Sequence, residues 1–235
     1  MLYPFYFDPT YVLVLIGVVL SLLASGRVKT TFAKYARVNN SRNITGAEAA
    51  ERILHGAGIY DVRVEHVSGN LSDHYDPRSK VLRLSDTVYG QTSVAAIGVA
   101  AHECGHAIQH AKGYAPLKFR SVLVPAANFG AQIAWPLILI GLLFNSNSSM
   151  LFINIGIIAF SLAVLFQLVT LPIEYNASNR AIRIIADTGL MQGEEIKAAK
   201  KVLSAAALTY VASAATAILQ LLRIILLTGG RRRND

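Results

Sequence analysis

The sequence predicts an α-helical membrane protein with about four transmembrane helices and a small α+β core outside the bilayer. Three observations carry this. Hydrophobic residues make up 53% of the chain and charged residues only 15%, against about a quarter charged in an ordinary soluble domain; mean hydropathy is +0.43. The apolar residues gather in four runs, near residues 11–24, 122–144, 150–171 and 202–227, and a membrane span takes about 20. Between the first two runs lies a polar stretch, 39–91, whose hydrophobic residues follow strand and helix periods.

The first run is short unless its aromatic flank, Tyr3, Phe5, Tyr6 and Phe7, contributes. A cleaved signal peptide begins with positive charge. Here the charge comes afterwards, as Arg27, Lys29, Lys34, Arg37 and Arg42. That asymmetry predicts an uncleaved anchor over residues 1–26, with its N-terminus outside and the aromatic residues at the outer interface.

Residues 27–121 read as the soluble α+β part. Thr45 and Glu48 form a T-x-x-E capping box for a helix through about His55, ended by Gly56 and Gly58. Residues 61–67 alternate Val62, Val64 and His66 with Arg63 and Glu65, a strand pattern. Residues 69–78 read as a loop, with Asp76-Pro77 as a turn. Residues 80–85 alternate again, and residues 92–111 read as a helix.

That last helix carries His102, Glu103 and His106 in the order H-E-x-x-H. Residues four apart share a helix face, so His102 and His106 can point ring nitrogens at one cation, and imidazole suits zinc. Glu103 is turned about a quarter of the way round, beside the open position where a general base for water belongs. Burying Glu103 next to two histidines on an apolar helix is costly without such a purpose. Cys104, the single cysteine, excludes an intrachain disulfide and suits a reducing compartment. It faces away from the metal side, so it reads as helix packing. His55 and His66 read as fold residues.

Residues 122–172 read as a transmembrane hairpin. Its first half carries Pro125, Asn128, Gln132 and Pro136, so it should be kinked or packed against protein. Its second half has Asn154 and Gln167 as its only strongly polar residues. Residues 173–201 form a second polar portion, and 202–235 a last span with a basic tail. The net charge of +8 therefore reads as membrane topology rather than nucleic-acid binding. Placing residues 27–120 in the cytoplasm leaves Arg223 and Arg231–Arg233 outside, against the positive-inside rule. Either the earlier charges dominate or the last segment does not cross.

A catalytic zinc takes three protein ligands and keeps one position for water. His110 shares the face but lies eight residues from His102, about 12 Å along the axis. A histidine six beyond the second ligand is another known arrangement, but Lys112 stands there. A glutamate on a later helix remains, and Glu174, two residues after Pro172, is the candidate.

Taken together, residues 100–106, Glu174-Tyr-Asn-Ala-Ser-Asn-Arg180, residues 71–77, 81–85 and 94–109 resemble the YugP-like family of bacterial membrane zinc metallopeptidases. More distantly the chain is similar to HtpX-like and CAAX-protease-like gluzincins. The resemblance implies a gluzincin-like metalloprotease core with His102, His106 and Glu174 as ligands of one zinc per chain and Glu103 as the base. Those distant relatives carry aspartate four residues after the ligand glutamate, where it orients a ligand histidine. This chain has Ser178 there, leaving Asp187 or another carboxylate to supply the charge.

The implied activity is metal-assisted peptide hydrolysis by a multi-pass protein of the bacterial inner membrane, its site facing the cytoplasm. Membrane or misfolded proteins fit as substrates by location. Residues 81–85 would be an edge strand to which an extended peptide adds. His74, Tyr75 and Arg180 are candidates to stabilise the oxyanion. Besides lipid and a peptide or protein substrate, a membrane-protein partner or an oligomer is compatible with the sequence. A non-catalytic zinc-binding adaptor is the alternative, but such a protein needs no Glu103. A purely structural zinc protein needs a fourth ligand, and none is evident.

Overall fold

A computed structural model describes residues 8–144 and 148–229. The aromatic flank at Tyr3–Phe7 and the basic Arg231–Arg233 lie outside the described residues. In chain order the elements are α1 (Tyr11–Tyr35), α2 (Gly46–Gly56), β1 (Arg63–Val67), β2 (His74–Asp76), β3 (Val81–Ser85), α3 (Val94–Ala111), α4 (Ala115–Leu143), α5 (Ser149–Asp187) and α6 (Glu194–Gly229). Helices α1, α4, α5 and α6 are long and apolar enough to cross a membrane. The chain divides into two units. One holds Phe119–Thr170 with the described parts of residues 1–23 and 210–235; the other holds Ala24–Lys118 and Leu171–Thr209.

In the first unit, small residues let the helix backbones approach closely, as lipid-embedded helices require. The buried stripe of α4 is Leu123, Ala127, Gly130, Ala134, Ile138 and Gly141, at helical spacing. A Cβ on Gly130 would stand 2.5 Å from the Ala159 carbonyl of α5, and one on Gly156 3.0 Å from that of Ala134. Pro125 and Pro136 both sit inside the unbroken α4. Arg223, late in α6, pairs with Asp8 at 3.7 Å and lies over the Tyr11 ring. Leu22, Val122, Phe129, Leu143 and Ile158 are exposed, a face that suits lipid rather than water.

The second unit carries the α+β core. The Thr45 capping box forms as the sequence reads. Ser93 caps α3 by accepting from the Ala96 amide at 3.1 Å. The sheet has the order β1-β3-β2, with β1 parallel and β2 antiparallel to β3. So Val81–Ser85 is the central strand and not the expected edge; β2 is an edge. The reason is a strand that the loop reading of 69–78 hid. Asp73 accepts from the Ser85 amide at 2.7 Å and from its hydroxyl at 3.0 Å, fastening the start of β2 across β3. Leu82 and Leu84 are wholly buried with Ile53, Leu54, Ile97, Ala100 and Cys104. Helix α5 runs on through Pro172 to Asp187, and α6 begins at Glu194. The polar portion at 173–201 is therefore the ends of two long helices.

Candidate active site

One close crossing positions the site. Gly105 of α3 meets α5 where a Cβ would stand 2.7 Å from the Ala177 carbonyl. With no side chain between them, the two backbones approach, and the residues flanking each contact point come face to face. On α3 these are His102 and His106; on α5 they are Glu174 and Ser178. Pro172 does not break α5 before Glu174, so the carboxylate is held on a continuous helix.

His102, His106 and Glu174 each offer one ligand atom, and these atoms all lie within 4.8 Å of one another. Glu174 Oε2 stands 3.3 Å from His102 Nε2 and 3.4 Å from His106 Nε2. The two rings are perpendicular, with centroids 4.8 Å apart. Two ligands at about 2.0–2.1 Å from a tetrahedral zinc are themselves about 3.3–3.4 Å apart. The observed edges match that figure, and two imidazoles with one carboxylate are a donor set that zinc accepts. The residues fit the metal. Glu174 is 3% exposed and Glu103 9%, so Glu103 is drier than a freely water-accessible base.

Both histidines are held from behind. Ser178 Oγ lies 3.1 Å from His102 Nδ1. Ser178 itself thus stands behind His102, and the expected substitute Asp187 is exposed. His106 Nδ1 lies 3.0 Å from Gln109 Oε1, and Gln109 Nε2 donates to the Ile173 carbonyl at 2.8 Å and to Asn176 Oδ1 at 3.0 Å. Arg180 Nε donates to the same Asn176 oxygen at 2.7 Å, and its guanidinium lies over the Tyr114 ring.

The donor inventory fixes the direction of this chain of bonds. Arginine only donates, so Asn176 presents its oxygen. Gln109 must then turn its amide nitrogen toward Asn176 and Ile173, and its oxygen toward His106. His106 donates from Nδ1, which leaves Nε2 to face Glu174, protonated when His106 is charged and with a lone pair for a metal when it is neutral. Burial lowers the His106 pKa, but the Glu174 hydrogen bond and the charges of Glu103 and Glu174 outweigh it and hold it above the ordinary histidine value.

With that geometry in hand, the comparison with known families is decisive. A family described as "Putative neutral zinc metallopeptidase" matches residues 10–229. The chain belongs to that family. Over 216 residues it is 49% identical to "Putative membrane protease YugP" of Bacillus subtilis (strain 168), covering 92% of this chain and 95% of that protein. No solved structure matches the chain.

Other candidate residues of this metallopeptidase-family chain sit elsewhere. His74 is exposed on β2, its Nδ1 2.8 Å from the Ser72 carbonyl and its Nε2 3.5 Å from Arg83. Tyr75 Oη lies 2.8 Å from His110 Nδ1, and burial pushes the Tyr75 pKa up to about 12, so the phenol stays protonated. That bond also occupies His110. Cys104 is buried with its thiol on the Ala50 carbonyl at 3.6 Å, and burial raises its pKa well above the usual thiol value. His66 pairs with Asp86 at 2.6 Å and His55 stacks on Tyr60. Gln109 and Asn176 were missed by sequence reasoning. The available signal was a glutamine three residues after His106 on the apolar helix.

Proposed function

We propose that this chain is a membrane-bound zinc-dependent endopeptidase that hydrolyses peptide bonds at His102, Glu103, His106 and Glu174, with one zinc per chain. The observation that carries the reading is the pair of edges, 3.3 and 3.4 Å, from Glu174 Oε2 to the two imidazole nitrogens. A zinc held there would polarise the scissile carbonyl and bring the pKa of water in its open position to about 7.

The chain's own residues supply the rest. Glu103, whose charge acts on His106, accepts the proton of the attacking water and delivers it to the leaving amine. Ser178 and Gln109 keep both rings turned with Nε2 forward. Arg180 positions His106 through Asn176 and Gln109, in place of the oxyanion role. The substrate lies extended along β2, the edge strand of the sheet on the α3 side, using main-chain hydrogen bonds. His74 is exposed on that edge. Membrane or misfolded proteins fit as substrates.

The site faces the cytoplasm of a bacterial inner membrane, a reading supported by the basic run that follows the first apolar stretch. The non-catalytic adaptor has no use for Glu103, and no specific feature favours it. Metal analysis of the purified protein, with cleavage of a casein-type substrate before and after chelation, tests the proposal. About one zinc per chain is expected, with cleavage lost on chelation and restored by zinc. Zinc-independent cleavage, or zinc without any cleavage, contradicts it.

A further inference from the structure

We infer that the cleft between α1 and α6 binds the phosphate headgroup of an anionic lipid. Arg27, Thr31 and Lys34 recur at helical spacing on α1, and Lys197, Lys200, Lys201 and Ser204 do so on α6. Residues three and four apart share a face, so each helix presents one stripe. The two stripes line a single cavity of about 820 Å³.

Five cations surround this space. Lys197 is paired with Glu194 at 2.6 Å. Among the described residues Arg27, Lys34, Lys200 and Lys201 form no ion pair. Like charges around one cleft repel, and an anion between them removes that penalty. Thr31 and Ser204 add hydroxyl donors on the same walls.

The depth of the cleft selects a lipid over a free phosphate. Residues 11–25 of α1 and 202–222 of α6 contain no charged side chain. Both helices therefore change from apolar to basic at this level, where a bilayer gives way to water. The cavity wall follows the change: its cations lie beside Ala205 and the exposed Leu208 of α6. A phosphate fits among the cations, with its acyl chains leaving past Ala205 and Leu208. Basic pockets between membrane helices bind headgroups by these means.

The test is lipid retention by the full chain in detergent, read by native mass spectrometry. The probes are phosphatidylglycerol and phosphatidylcholine of identical acyl chains. Wild type should retain phosphatidylglycerol and not phosphatidylcholine. Each basic residue near an anionic surface contributes about fivefold, so Lys34→Gln, Lys200→Gln and Lys201→Gln together should weaken retention by on the order of a hundredfold. Replacing the same three by Arg should preserve it. So should the charge-matched control Arg52→Gln, Arg63→Gln and Arg78→Gln. If the triple variant loses helical circular dichroism, Lys200→Gln alone is measured and should show about a fivefold loss. Retention unchanged in the Gln variants, an equal loss in the control, or displacement of the lipid by millimolar inorganic phosphate overturns the inference.

Discussion

The side-chain oxygen of Gln109 lies 3.0 Å from Nδ1 of His106. The other end of the same amide is tied to α5, at the carbonyl of Ile173 beside Glu174. One side chain thus orients His106 and fastens the helix that carries Glu174. Gln109 is 0% exposed, so its four bonding capacities must be met within the protein.

Gln109→Leu keeps the volume and removes both ends. His106 Nδ1, left without its partner, should cost about 1–3 kcal/mol, and zinc affinity should fall about 10–100-fold. Gln109→Glu should be no better, because a carboxylate faces two acceptors at Ile173 and Asn176. Chelator competition and chemical unfolding measure the two effects. Arg180→Lys keeps a donor to Asn176 and should retain more zinc affinity than Arg180→Met.

Ser178 supports His102 without a charge. Ser178→Ala should weaken zinc by roughly tenfold, the low end for a lost partner of a ligand histidine. Ser178→Asp should bind zinc more tightly than wild type, because a carboxylate makes the imidazole a stronger ligand. Chelator competition at one pH decides the order of the three proteins.

Gly105→Val places a branched side chain where even a Cβ would be 2.7 Å from the Ala177 backbone. Overpacking of this kind costs about 1–3 kcal/mol, and here it also parts α3 from α5. Zinc occupancy should drop sharply while α2 and the sheet persist. Metal content and hydrogen exchange along α3 would check this.

The His106 pKa is raised in the metal-free protein, which has two consequences of opposite sign. The protonated His106 pairing with Glu174 stabilises the metal-free fold below the ordinary histidine pKa of about 6.5. That contribution is lost as pH rises through the raised value. Zinc must displace this proton, so its affinity should climb with pH across the same window. Measured as pH rises from about 6.5 through the raised value, metal-free stability and zinc affinity should move in opposite directions.

Orientation is tested by cysteine labelling with an impermeant reagent in intact cells. Cys104 is buried, so background is low. A cysteine at Ser148 should label and one at Ser72 should not; the reverse contradicts a cytoplasmic site.

The helices and the two candidate histidines are written in local signals. The capping box at Thr45, the four apolar runs and the His102–His106 spacing each depend on residues within a turn or a span. Strand β2 was hidden because three residues show no alternation and its fastening, Asp73 to Ser85, is distant in sequence. The central place of β3 follows from that same missing strand. Glu174 was legible by elimination, whereas Gln109 and Asn176 were not. Their role exists only once Gly105 lets α5 approach, and a buried glutamine carries no periodic mark.

The most direct measurement is peptide hydrolysis by purified, zinc-loaded Glu103→Gln protein. Glutamine keeps the shape but cannot accept the proton, and Glu103 is outside the group of atoms that could hold a metal. Zinc content should equal that of wild type, while turnover falls by about 10²–10⁴-fold. A variant that holds zinc and cleaves at the wild-type rate would contradict the account.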